Sequence, residues 1–138
     1  MKGGSVEPGS LEYFQCFYEG ITDPERIDGL WHEDVVIHQS EEMVGTAGTF
    51  EGYDGVVALG QELAESWDVE ETVWRPIEVK ELGDHGYLVR VAARGRGRGS
   101  GVELERELFH IVTLRGDRAS RMDVYLDEAE ARKAAGLG

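Results

Sequence analysis

One cysteine, three prolines, four histidines and fourteen basic residues are all that this 138-residue chain carries of those types. Each scarcity excludes something. A lone cysteine, Cys16, permits neither an intramolecular disulfide nor a cysteine-based metal site, and its place in a helical pattern gives it a packing role. The histidines His32 and His38 stand six apart, which matches no metal-ligand spacing, so no metal and no cofactor are expected. The 14 basic residues face 28 acidic ones, for a net charge of -14. Affinity for a phosphate backbone grows with the lysines and arginines that neutralise it, so nucleic acid is not an expected partner. No apolar run approaches the ~20 residues that cross a bilayer. The opening MKGGSVEPGS has no apolar core of a signal peptide, so the expectation is no membrane, a cytoplasmic location and a loose N-terminus over residues 1–9.

One stretch runs against the acidic balance. RGRGRGSG, from Arg94 to Gly101, resembles the arginine- and glycine-rich segments that bind single strands. Its surroundings give another reading. In GYLVRVAARGRG, Tyr87, Val89, Val91 and Ala93 alternate with Arg90, Arg94 and Arg96, so the arginines continue the exposed face of a strand and the glycines after them permit a turn. The same letters lack the Lys-Ser/Thr of a phosphate loop, and GYDG follows no dinucleotide fingerprint.

At 41% hydrophobic composition the chain can build a core. Ser10 reads as the N-cap of a first helix with Leu11, Phe14, Phe17, Tyr18 and Ile21 on one face, and Asp23-Pro24 opens a second carrying Ile27, Leu30 and Trp31. DVVIHQ is a short strand, and GTAGTFEGYDG a loop with a brief extended piece. A third helix follows from Asp54 to Trp67. The period then becomes two. Val69, Glu71, Val73, Arg75, Ile77 and Val79 are predicted to share one face of a long strand, followed by strands over 86–97, 102–115 and 118–127 with tight turns between them. A short helix capped by Asp127 and ended by Gly136 closes the chain. Helices first and strands after predict an α+β fold: an antiparallel sheet of about four long strands plus short ones, wrapped around three N-terminal helices. A hollow for a small apolar molecule is expected between the layers.

The ordered set WHEDVV, GTFEGYDGV, GDHGYLVRVAARGRGRGSGVE and YLDEAEARKAAGL resembles the nuclear-transport-factor-2-like superfamily, in its SnoaL-like branch. The resemblance implies a cone-like curved sheet in a single domain over 10–138, often dimeric through the outer sheet face. It also implies activities of the isomerase, cyclase or epoxide-hydrolase kind, or binding without catalysis, and so selects no reaction. By the same resemblance, the ketosteroid isomerase base position falls on Gln39, its tyrosine on Gln15 and its aspartate on His110; one position of slip makes His38 the base. The epoxide-hydrolase network of acid, arginine and acid would fall on Glu105, Arg106 and Glu107 with Asp123. The cyclase acid position falls on Val124, beside Asp123.

From the residues alone, His110 and Arg106 interrupt the apolar even positions Val102, Leu104, Leu108, Val112 and Leu114. A histidine there is either a core residue bonded to backbone or an acid, base or donor in the pocket. The expected site therefore comprises His110, Gln39 and His38 as catalytic candidates, with Tyr18, Trp31, Trp67 and Arg106 around the ligand. On the outward positions, Phe109 and Ile111 suggest a contact between two subunits.

Overall fold

In the computed structural model, residues 7–40 and 48–137 are described. Ser10 accepts a hydrogen bond from the Tyr13 amide and starts helix α1, Leu11–Glu19. Asp23 does the same for the Glu25 amide, with Pro24 in the first turn of a 3₁₀ segment, Pro24–Arg26, that leads into the short α2, Ile27–Leu30. Strand β1, Trp31–Gln39, follows without a break. Trp31 thus begins the strand rather than ending the helix as its spacing predicts, and the segment predicted to end that helix, His32 to Asp34, lies inside β1. Strand β2 is Gly48–Glu51 and helix α3 is Gly52–Ser66. Asp54 lies in the first turn of α3 and does not cap it. Strands β3, Val73–Gly83, β4, Gly86–Arg96, β5, Glu103–Arg115, and β6, Arg118–Tyr125, complete the sheet. Helix α4, Glu128–Ala134, is capped by Asp127, whose side chain accepts from the Ala129 amide. Residues 1–6 of the expected loose terminus and 45–47 of the expected loop lie outside the described residues. Gly9, within that terminus, is buried against the Tyr87 ring.

The fold is α+β, with six strands in the order β2-β1-β6-β5-β4-β3. All pairs are antiparallel except β1 with β6, which run parallel. This corrects the expectation of a wholly antiparallel sheet. The sheet is curved and unclosed, ending at β2 on one side and β3 on the other. α1 packs against β3, and α3 against β1 and β2. Their apolar stripes meet the sheet in a core built on Phe14, Phe17, Trp31, Val35, Ile37, Val89, Val91 and Val112.

The predicted long strand departs from simple alternation in two places. Residues Val69–Glu71, predicted to open the long strand, form a 3₁₀ turn, because Trp67 bonds across to Gly97 and Asp68 to Arg96 before β3 begins. Within β3 the register shifts between Pro76 and Glu78. Trp74 and Pro76 face the core before the shift and Val79 after it, whereas Val73 and Ile77 are exposed. One extra residue in a strand flips every later side chain to the other face. Pro76 is tolerated because β3 is an edge strand.

The arginine-glycine stretch is the end of a hairpin. Arg94 stands opposite Glu105 and Arg96 opposite Glu103, with Arg96 Nη2 3.5 Å from Glu103 Oε2. Arg90 Nε donates to Glu107 Oε1 at 2.8 Å. Gly97 and Gly101 close the turn by backbone bonds to Val102 and Gly97.

The outer face of the sheet carries a second apolar cluster. Leu88, Phe109 and Ala131 are buried there with Ile111, Tyr125 and Leu137 packed around them. Ala131 of α4 thus helps to bury Phe109 within the chain, and Ile111 beside it is half-buried.

Candidate functional site

A cavity of about 380 Å³ lies between α3, the segment Ile21–Ile27 and the concave face of the sheet. Its walls are apolar: Ile27 from α2, Val56 and Leu63 from α3, Trp74 from β3, and Ile37, Leu108 and Met122 from the sheet. The turn between α1 and α2 supplies Thr22 and Asp23 at the exposed rim. Volume and lining fall in the range of small-molecule pockets.

Two polar side chains are buried in this wall, His110 at 3% exposure and Gln39 at 5%. Their placement follows from register. Val124 is the cross-strand partner of His110 on β5 and of Gln39 on β1. Directly paired residues share a face, so Gln39, Val124 and His110 form one row across three strands. Two strand spacings put the outer members roughly 10 Å apart. A ligand group resting on Val124 meets one of them on each side.

His110 is fixed from behind. The Tyr18 hydroxyl, 92 positions earlier on α1, lies 2.6 Å from His110 Nδ1, and both residues are buried. Burial raises the Tyr18 pKa well above 10, so the phenol keeps its proton and can donate it to Nδ1. Burial lowers the His110 pKa to about 4, so the imidazole is neutral at pH 7 and carries one N–H. With Nδ1 accepting, that proton sits on Nε2. Tyr18 is absent from the cavity wall: it supports His110 rather than lining the pocket as expected. Tyr18→Phe leaves a buried nitrogen without a partner and is expected to cost about 1–3 kcal/mol, read as a lowered midpoint in urea unfolding.

Gln39 Oε1 and Trp31 Nε1 are buried and have no hydrogen-bond partner among the described residues, and both residues belong to the cavity wall. Buried polar atoms are nearly always paired, so both call for a partner that the described residues do not supply.

The other predicted site residues lie elsewhere. His38 points to the opposite face of β1, as alternation requires of Gln39's neighbour, and its Nδ1 lies 3.2 Å from Thr49 Oγ1. Arg106 is exposed on the part of β5 that extends beyond β6. Trp67 is half-buried at the end of α3, outside the cavity wall, beside Gly95. Glu105 and Glu107 are exposed, Glu107 is bonded to Arg90, and Asp123 is held by Arg121 at 2.9 and 3.0 Å on the outer face. No acid–arginine–acid network enters the cavity. Among the described residues no group of three or more His, Cys, Asp or Glu is placed to hold a metal ion, and no helix is long and apolar enough to cross a membrane.

Sequence reasoning missed the Tyr18–His110 bond and the part played by Trp74. Tyr18 lies on the apolar stripe of its helix and His110 on the inner face of its strand, so each was legible as inward. Their pairing depends on where α1 crosses the sheet, which no local pattern encodes.

Comparison with known proteins follows this geometry. The family described as SnoaL-like domain matches residues 11–122. No curated protein matches the chain. Among solved structures, TerC, co-crystallised with polyporic acid, is 23% identical with a TM-score of 0.71, over 91% of this chain and 97% of TerC. An NTF2-like protein of unknown function from Burkholderia pseudomallei K96243 is 21% identical with a TM-score of 0.73, over 92% and 97%. A putative polyketide cyclase from Sinorhizobium meliloti is 18% identical with a TM-score of 0.61, over 83% and 94%.

Proposed function

The chain belongs to the SnoaL-like family, and we propose that it binds a small, largely apolar molecule in the cavity between α3 and the sheet, with the molecule's polar end between His110 and Gln39. The observation that carries this reading is the pair of buried polar side chains on an apolar wall, one of them with an unsatisfied oxygen. A core selected for stability alone gains nothing from an unpaired amide oxygen, which costs about 1–3 kcal/mol when buried. That TerC, a neighbour in fold, was co-crystallised with a small organic molecule is consistent with the reading.

The polar groups favour binding and hydrogen-bond polarisation over proton abstraction. Asp23 is the one carboxylate among the described lining residues; it is exposed and already accepts from the Glu25 amide. Gln39 does not titrate, and His110, with its pKa lowered to about 4, is a weak base. A ligand carbonyl beside His110 would be polarised by a neutral donor in a dry site.

Trp31 and Trp74 line the cavity, so occupancy is readable in tryptophan emission. Titration with a panel of small aromatic ketones and phenols is expected to give a saturable change for several members. A flat response to the whole panel, together with native mass spectra showing no retained compound, would end the proposal. Gln39→Leu separates function from stability: removing the orphan oxygen is expected to leave stability unchanged or raise it by about 1 kcal/mol, while ligand affinity falls. Thermal unfolding and the same titration measure the two.

A further inference from the structure

We infer that the site selects uncharged molecules presenting a hydrogen-bond acceptor, a carbonyl-type oxygen, and that Tyr18 is the positioning residue setting this preference by holding His110 with its proton on the cavity-facing nitrogen. The inference rests on the binding reading above and adds the chemistry of the ligand and the device that selects it.

Three observations carry it. First, the 2.6 Å contact engages Nδ1 from behind the cavity wall, since Tyr18 is buried and His110, not Tyr18, belongs to the wall. Among the described residues His110 Nδ1 is the partner of the Tyr18 hydroxyl, and the phenol is taken to donate to it. A neutral imidazole accepting at one nitrogen donates at the other. At His110 the cavity therefore meets an N–H, complementary to an acceptor. Second, no described residue of the lining is lysine or arginine, and the one charged group is the acidic Asp23 at the rim. A carboxylate or phosphate would enter past a like charge and find no cation to replace its water. The overall net charge of -14 acts in the same direction. Third, the cavity wall beside His110 is formed by Leu108, Met122 and Val124, so the remainder of the molecule meets hydrocarbon, and an apolar body with one acceptor matches that surface.

The test uses three probes of one shape on the full chain, measured by calorimetry at pH 7: 2-acetylnaphthalene, 2-ethylnaphthalene and 2-naphthoate. The ketone is expected to bind about tenfold tighter than the hydrocarbon, and the carboxylate at least tenfold weaker than the ketone. In Tyr18→Phe, where imidazole is free to take either tautomer, the preference for ketone over hydrocarbon is expected to fall to within twofold while the hydrocarbon still binds. A readout independent of ligand is the tautomer of His110 in the free protein. In ¹⁵N-labelled wild-type protein, ring correlations should assign the proton to Nε2, and this measurement stands even if the variant folds poorly. Equal binding of ketone and hydrocarbon, tighter binding of the carboxylate, or a proton on Nδ1 would overturn the inference and leave the binding reading intact. Failure of all three probes to bind would remove the binding reading, and the ligand preference with it.

Discussion

Phe17→Ala is expected to lower the stability of the fold by about 3–5 kcal/mol, the usual cost of truncating a fully buried phenylalanine. Phe17 is 1% exposed. Its ring meets Trp31 edge-on at 5.1 Å and Tyr18 edge-on at 5.1 Å, so it braces one wall of the cavity and the residue that holds His110. Domains of this size are stable by roughly 5–15 kcal/mol, and the loss therefore moves a large share of the margin. Urea unfolding should show a lower midpoint with an unchanged slope, and the tryptophan response to ligand should weaken in the remaining folded protein. Phe17→Leu keeps most of the volume and should lose less than half as much. A loss below about 1 kcal/mol in the alanine variant would show that the neighbouring rings collapse into the space and that Phe17 braces nothing.

Acid should destabilise the protein through His110 in a defined window. The folded-state pKa is about 4, lowered from 6.5 by burial. Above pH 6.5 the imidazole is neutral in both states and contributes no pH dependence. Between 6.5 and about 4 the unfolded chain takes up a proton that the folded chain refuses, so stability falls as pH falls. Below about 4 both states are protonated and the loss levels off. The difference amounts to about 3 kcal/mol. Carboxylates add their own acid dependence, so the comparison is with His110→Gln, which cannot titrate and can still accept from Tyr18. The stability of the variant relative to wild type should rise by about 3 kcal/mol between pH 7 and pH 4. Parallel curves for the two proteins would mean that His110 is readily protonated in the fold, and the argument for a neutral donor would fail. Tyr18 is the titratable group in contact with His110, and its raised pKa keeps it out of this range.

Local signals carried most of the architecture. The caps at Ser10, Asp23 and Asp127 are as their side-chain chemistry requires, and the alternation of Tyr87, Val89 and Val91 gives the inner face of β4. Three things were not local. The bulge after Pro76 reverses the faces of β3, and a reading by parity alone turns Trp74 outward. The parallel union of β1 and β6 joins segments with no mark of each other. The ends of β5 follow different rules: Leu104 and Arg106 keep the inward parity of Leu108 and His110 but lie beyond β6, where no layer covers them. The outward apolar pair Phe109 and Ile111 was legible in the pattern of β5, but its packing with Ala131 of α4 was not. Of the site, His110 was legible because a polar residue interrupted an inward apolar row, whereas Gln39 came from the resemblance. A hollow between the layers followed from the order of elements, but which residues share it did not.

The parallel pair has a consequence for how the chain is made. Ile37 joins Met122 and Gln39 joins Val124, so the sheet cannot be completed until residues as far as Val124 have left the ribosome. Contacts between such distant segments carry a high loop-closure cost and slow the search for the native state. During synthesis the β4–β5 hairpin can form early, but Phe109 has no cover until α4, the last helix, emerges. A stalled or shortened chain would therefore present an apolar patch on one side of the sheet and an unfilled β1 edge on the other, both apt to join a neighbouring nascent chain. Emergence of α4 would close that patch, and chaperone dependence should concentrate in the interval before Glu128–Ala134 appear.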